Sequence, residues 1–155
     1  DSPILYYKNQ NTAHDVLEET DFILVMQNQF QASMMLQFGT DKICIDGTHG
    51  TNEYNIQLYT IVAIDEFGNG CPVSYCLSNR ADVTIFQIYF DCIRKAIGKI
   101  DADTFMSDDA PAFYNAWKIV MGEVPHRIIC TWHVDKNWRE NLNKKLMRTF
   151  SGSRL

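Results

Sequence analysis

Three strand-like runs follow one another with only short connections: Lys42 to Asp46, Tyr54 to Asp65 and Pro72 to Leu77. The segment "DEFGNG" separates the second from the third, and Gly68, Asn69 and Gly70 in it can supply the positive-φ positions of a hairpin turn. The centre of the chain is therefore committed to an antiparallel meander. Its first run, "KICID", is apolar but closes on Asp46, after which Gly47 and Gly50 reverse the chain. A strand that reads as buried and ends on an acid needs a reason.

The flanking segments set the fold class. "DFILVMQNQFQASMMLQFG" carries Phe22, Val25, Met26, Phe30, Met34 and Phe38 close to a 3.6-residue spacing and stops at Gly39, which predicts one helix. After the meander, "DVTIFQIYFDCIRKAIG" opens on Asp82 as an N-cap, repeats Ile85, Ile88, Tyr89, Cys92, Ile93 and Ala96 on one side, and stops at Gly98. "TFMS" reads as a fourth strand. "DDAPAFYNAWKIVMG" reads as a helix capped by Asp109 or Ala110, with Pro111 in its first turn and Phe113, Trp117 and Val120 or Met121 buried. "HRIIC" gives a fifth strand, and Thr131 can cap a last helix from Trp132 toward Arg148. Three hairpin-connected strands followed by alternating helix and strand is the order of a ribonuclease H-like α/β fold: a mixed five-stranded sheet with helices on both faces. Another α/β sandwich with the same element count is the alternative. Residues 1–40 read as a helical lead-in, 41–150 as the core and 151–155 as a tail.

Composition sets bounds. With 155 residues, 46% hydrophobic and 21% charged, the chain fits one domain with a proper core. No run of 18 apolar residues occurs, and "DSPILYYKNQ" lacks a basic lead into an apolar segment, so neither a membrane span nor a signal peptide is expected. Cys44, Cys71, Cys76, Cys92 and Cys130 are odd in number and scattered, which favours a reducing compartment. The missing start methionine and the ending "FSGSRL" read as a piece of a longer chain. Net charge is −5, but residues 136–155 hold six Lys and Arg (Lys136, Arg139, Lys144, Lys145, Arg148, Arg154) against one acid, Glu140. A basic segment on an acidic body can meet phosphates on one face and hold cations on another. The plainer reading is a solvated helix face.

Asp46 closes the first strand of the meander and Asp108 closes the fourth strand, and in such a sheet these strands are neighbours. Two adjoining carboxylates repel when both are ionised unless a divalent cation lies between them. Hard oxygen donors select Mg²⁺ or Mn²⁺, and a pair of such ions can clamp both oxygens of an in-line phosphoryl transfer. On the competing reading Asp46 is a turn residue before Gly47, and Asp108 or Asp109 is a helix cap.

"ICIDGTHGTNEYNIQLYTIVAIDEFGNGCPVSYCLSN", then "FMSDDAPAFYNAW", then "CTWHVDKNWRENL" together resemble the transposase domain of Mutator-like elements, particularly the animal branch from which SWIM-finger host proteins derive. The likeness runs from about Asp21 to Leu142. The resemblance implies that Asp46 and Asp108 are the first two acids of a DDE triad and metal ligands, that Asp109 beside the second is the helix cap or lies behind the metal, and that Cys130 and His133 are the family's C-x-x-H signature. The family's third acid, a Glu, lies well beyond this motif, after a helical insertion, and the chain ends first. Asp135 and Glu140 are not expected to replace it.

The same resemblance implies a nuclear enzyme that hydrolyses phosphodiesters at transposon ends and joins them to target DNA. Its cofactors would be two Mg²⁺ or Mn²⁺ ions, its partners DNA and a second copy of the full-length protein, with no membrane. Lys136, Arg139, Lys144, Lys145 and Arg148 would contact DNA phosphates. Zinc at Cys130 and His133 is not expected, because two further ligands in a recognisable motif are missing. Cys71 and Cys76, five apart on one strand, should point to opposite faces. His49 could touch a phosphate or a water behind the metal, or simply bond within its turn. Trp132 and Trp138 could stack on bases, though burial is the commoner fate of tryptophan. Two rival functions remain: a domesticated derivative that keeps the fold as a DNA-binding or protein-interaction module without cutting, and a nuclease that hydrolyses without joining.

Overall fold

The meander forms as expected and the rest of the molecule is built on it. In the computed structural model, which describes residues 2–48, 50, 52–136, 138–139 and 141–142, the strands are β1 (Ile4–Lys8), β2 (Ile23–Met26), β3 (Lys42–Thr48), β4 (Gln57–Ile64), β5 (Gly70–Ser78), β6 (Thr104–Ser107) and β7 (His126–Ile129). The helices are α1 (Gln29–Phe38), α2 (Val83–Ile97) and α3 (Pro111–Val120). One mixed sheet takes the order β1-β2-β5-β4-β3-β6-β7. Pairs from β1 through β3 are antiparallel, whereas β3/β6 and β6/β7 are parallel. The chain is thus an α/β domain.

The sheet has seven strands where the sequence suggested five. The additional two, β1 and β2, come from the stretch expected to be a helical lead-in, and the single helix expected from Phe22 onward is a strand, a cap and a helix. The break has a local cause. Asn28 accepts from the Gln31 backbone N–H while the Gln31 side chain returns a bond to the Asn28 N–H, a reciprocal capping box that starts α1 at Gln29. Before it, Ile23 and Val25 are buried on the pleat while Leu24 and Met26 are half-buried, a period of two rather than 3.6. Lys8, at the end of β1, is buried and donates to the carbonyls of Glu18 (2.7 Å) and Asp21 (2.8 Å), tying down the loop that leads into β2.

α2 and α3 close the face of the sheet that carries Ile43, Ile45, Tyr59 and Ile61. Asp82 caps α2 through the Ile85 N–H (3.1 Å), and Gly98 ends it at φ 90°. Its buried stripe is Ile85, Phe86, Tyr89, Phe90 and Ile93; the expected Ile88 and Cys92 are half-buried and Ala96 is exposed, so the helix is rolled toward its two phenylalanines. A run of ring contacts, Tyr59–Phe86 (4.9 Å), Phe86–Phe113 (4.3 Å), Phe90–Trp117 (5.2 Å) and Phe105–Trp117 (5.2 Å), joins both helices to β4 and β6. Such pairs add about 0.5–1.5 kcal/mol each beyond their buried area. α1 joins the same side, its terminal Gly39 abutting Ile43 Cδ1 and Ile100. On the opposite face Leu24, Met26, Cys44, Leu58, Thr60, Val62 and Leu77 are only half-buried. α1, α2 and α3 lie on one face, and helical residues 131–136 meet the other face at its β3/β6 end.

A β-bulge between Ile61 and Val62 changes the parity of β5. Cys71 pairs with Ala63 and Cys76 with Tyr59, so the two thiols share a face instead of opposing one another. In the hairpin turn only Gly68 takes a positive φ, 84°. Asp65 does the remaining work of the turn by accepting from the Phe67 and Asn69 N–H groups.

Candidate active site

The acid that opened the question does not end its strand. β3 continues through Gly47, paired with Tyr59, and Thr48, paired with Leu58, so Asp46 sits inside the ladder opposite Thr60. It is not a turn residue. Alternation along β3 buries Ile43 and Ile45 and sends Cys44 and Asp46 to the other face. A rigid, hydrogen-bonded strand therefore holds this carboxylate with 58% of its side chain exposed.

Asp108 follows β6, whose parallel ladder with β3 pairs Lys42 with Thr104, Ile43 with Phe105 and Cys44 with Met106. Two residues past that last pair stand Asp46, within β3, and Asp108, just after β6. The adjacency read from the sequence is present at the level of register. The carboxylates, however, turn to different neighbours. Asp108 Oδ1 accepts the Ala110 N–H (2.9 Å), and its carbonyl accepts the Ser107 hydroxyl (2.8 Å). This turn bond leads into α3, whose N-cap is Ala110 with Pro111 just inside. The expectation that Asp109 makes the cap is corrected: Asp109 is exposed and the side-chain bond belongs to its neighbour. The hydroxyl of Tyr59, buried beneath this end, is pushed far up by desolvation and then by the charges of Cys76, Asp108 and Asp82.

Asp46 meets His133. Its Oδ1 lies 3.5 Å from Nε2, and His133 is 22% exposed. The two belong to a cavity of about 220 Å³ lined also by Cys44, Met106, Ser107, Cys130 and Trp132. Cys130 follows β7 with its N–H bonded to the Ser107 carbonyl (2.8 Å), which places the C-x-x-H segment against the end of β6. The Trp132 ring stands edge-on to His133, centroids 4.7 Å apart. Burial pushes the Cys44 thiol up, and the nearby Cys130 adds to the shift, so Cys44 is a neutral thiol here. Spacing in the sequence marked Cys130 and His133; that Cys44 shares their cavity follows only from strand order.

The donor set suits a hard cation in part. Asp46 offers its carboxylate from within β3 and Asp108 from just past the end of β6, and the second oxygen of each has no hydrogen-bond partner among the described residues. Among the described residues no three His, Cys, Asp or Glu side chains converge as a metal cluster. Asp135 instead pairs with Arg139 one turn on (2.7 Å), and the Lys136 ammonium lies over the Trp132 ring at 5.2 Å. Trp132 and Trp138 are 62% and 77% exposed, against the commoner buried fate. His49, Glu140, Lys144, Lys145 and Arg148 lie outside the described residues.

Acids at the carboxyl edge of parallel strands in a mixed sheet, with a histidine brought up to one of them from the following helix, define a class: an α/β domain with a polar site at the strand ends. The family model described as "MULE transposase domain" matches residues 42–137, from the first residue of β3 to just beyond His133. The match covers more than half of the chain, which belongs to that family. It is transposase-related, and such a domain deals with DNA. β1, β2 and α1 lie before the matched span. No curated protein matches the chain. No helix among the described residues is long and apolar enough to cross a membrane.

Proposed function

We propose that this chain is a ribonuclease H-like catalytic core of a Mutator-type DNA transposase, with Asp46 and Asp108 as the first two acids of its metal site. One observation carries the reading: an acid fixed in mid-strand on β3 and a second acid just past the end of β6, the parallel neighbour of β3, each two residues beyond the last paired residues of these two strands and at the edge where the family's chemistry is expected. The strand order supports the fold assignment, since β5-β4-β3-β6-β7 reproduces the three antiparallel and two parallel strands expected from the sequence. Mg²⁺ or Mn²⁺, when bound, supplies Lewis-acid stabilisation of charge on the phosphodiester oxygens and lowers the pKa of water.

The chain's own residues then have defined tasks. Asp46, held by the ladder, presents its oxygens without rearrangement, and Asp108 keeps one oxygen for the site while the other fixes the entry to α3. Water attacks a phosphodiester at the transposon end and the P–O bond to the flanking strand breaks, freeing a 3′-hydroxyl; that hydroxyl then attacks a target phosphodiester in the same site, whose P–O3′ bond breaks and releases a target 3′-hydroxyl. Lys136 and Arg139 lie on the helix leading away from it and would contact phosphates without reading sequence. The setting is the nucleus. A second reading, a domesticated module that binds without cutting, draws on the commitment of one Asp108 oxygen to the Ala110 N–H at the start of α3.

Calorimetric titration of Mn²⁺ into the unmutated chain, Asp46→Asn and Asp108→Asn separates the two. Loss of affinity by about tenfold or more in both variants supports the catalytic reading. Binding indifferent to both substitutions, or no binding at all, leaves the non-cutting module.

A further inference from the structure

We propose that His133 is a metal ligand, its Nε2 completing with Asp46 a two-residue seat for a divalent transition ion such as Mn²⁺ in preference to Mg²⁺. The inference rests on the reading of Asp46 as a metal-holding acid and adds a nitrogen donor to it.

The separation of the two groups is the starting point. Nε2 and Oδ1 are 3.5 Å apart, too long for a charge-assisted hydrogen bond, which closes to about 2.7–2.9 Å. A separation of this size leaves both groups within reach of one cation held between them.

The imidazole is otherwise unclaimed. Its Nδ1 is buried without a hydrogen-bond partner, so neither ring nitrogen has a short bond to protein. Buried polar atoms left in this state call for an explanation, and an ion or water bound beside the ring is one. The ring is oriented by packing instead: Trp132 stands edge-on to it, and Cys130, one turn before it, is anchored on the Ser107 carbonyl. The helix after β7 thereby aims Nε2 at a carboxylate on β3, the third strand counted from the β7 edge of the sheet. A nitrogen donor also changes which ion is preferred, because imidazole binds transition ions well and Mg²⁺ reluctantly.

The test is pulsed electron paramagnetic resonance on the Mn²⁺-loaded chain, reading the modulation that a coordinated ¹⁴N imposes on the echo. The unmutated chain should show imidazole nitrogen coupling. His133→Gln should abolish it and weaken Mn²⁺ about tenfold or more, with Mg²⁺ changed by less than about twofold; His126→Gln, on the exposed strand β7, should keep it. Mn²⁺ bound in an Asp46-dependent way without nitrogen coupling overturns the histidine ligand and leaves the acid site standing. Coupling that survives His133→Gln also overturns it. Mn²⁺ that ignores Asp46→Asn overturns both readings. Circular dichroism of each variant distinguishes loss of a ligand from loss of fold, and the measurement on the unmutated chain needs no variant at all.

Discussion

The two ends of the central sheet both carry aspartates, and they use them differently. At the β4–β5 end, Asp65 spends both carboxylate oxygens on the turn: Oδ1 accepts the N–H groups of Phe67 (3.0 Å) and Asn69 (2.7 Å), and Oδ2 accepts the Asn69 side chain (3.2 Å). At the opposite end, Asp46 stands within a paired strand, and its contact among the described residues is His133. An acid that shapes a turn consumes its oxygens on amides, whereas an acid on an already rigid element leaves them for something else. Asp108 stands between the two, with one oxygen on the Ala110 N–H. Residue type does not distinguish a structural aspartate from a functional one here; the hydrogen-bond inventory does.

The largest expected effect tests whether the two ends are mechanically separate. Phe86 is buried between Tyr59 and Phe113 and ties α2, β4 and α3 together beneath the acid end. Phe86→Ala should cost about 3–5 kcal/mol in urea unfolding. Amide exchange should quicken at residues 107–110 before it does at 67–69. Equal quickening at both ends would make them one cooperative unit, and the contrast between them would then be chemical only.

A smaller effect separates a capping acid from a site acid at the same end of the sheet. Asp82 accepts the Ile85 N–H at the start of α2 and also pairs with Arg80, which reaches Asp21 at 2.8 Å. Asp82→Ala should lower stability by about 0.5–2 kcal/mol, the usual cost of a lost N-cap. Asp46→Ala should stay within about 0.5 kcal/mol, as exposed substitutions away from such features do. Equal losses, measured by urea unfolding, would make Asp46 structural and end the distinction.

How much of this was legible depends on whether the signal was local. The meander, the Asp82 cap, the Gly98 stop and the Phe113/Trp117 stripe are set by residues within a turn or a pleat of one another, and the sequence states them directly. β1 and β2 were hidden because Phe22, Val25, Met26 and Phe30 mimic a helical period across the boundary; the Asn28/Gln31 capping box was the cue that marked it. The bulge that turns Cys71 and Cys76 to one face depends on pairing with β4 and leaves no mark in β5 alone. For the site, Asp46, Asp108, Cys130 and His133 were marked by motif. What the motif could not state is geometry: that β3 runs past Asp46, that Asp108 turns toward α3, and that His133 reaches the first acid across two intervening elements.

The smallest effect is a titration at the turn end. The Asn69 N–H bond to the ionised form, against an opposing desolvation and with further bonds from the Asn69 side chain, Phe67 and Gly68, holds the Asp65 carboxyl below its ordinary value. A carboxyl with a lowered folded pKa contributes stability above its unfolded value, about 3.9, and loses it as pH falls through the folded value. The turn should therefore weaken on acidification in that window and not at neutral pH. Following the side-chain carboxyl carbon by NMR should give a midpoint below the ordinary aspartate value. Asp65→Asn, which keeps an acceptor oxygen, should remove the pH dependence while leaving the hairpin in place. A midpoint at the ordinary value would mean that the amides do not claim this carboxylate in solution. In the same spectra, added Mn²⁺ should broaden Asp46 and spare Asp65; broadening of both would show that exposure alone, and not the presence of uncommitted oxygens on a rigid strand, decides which acid takes the ion.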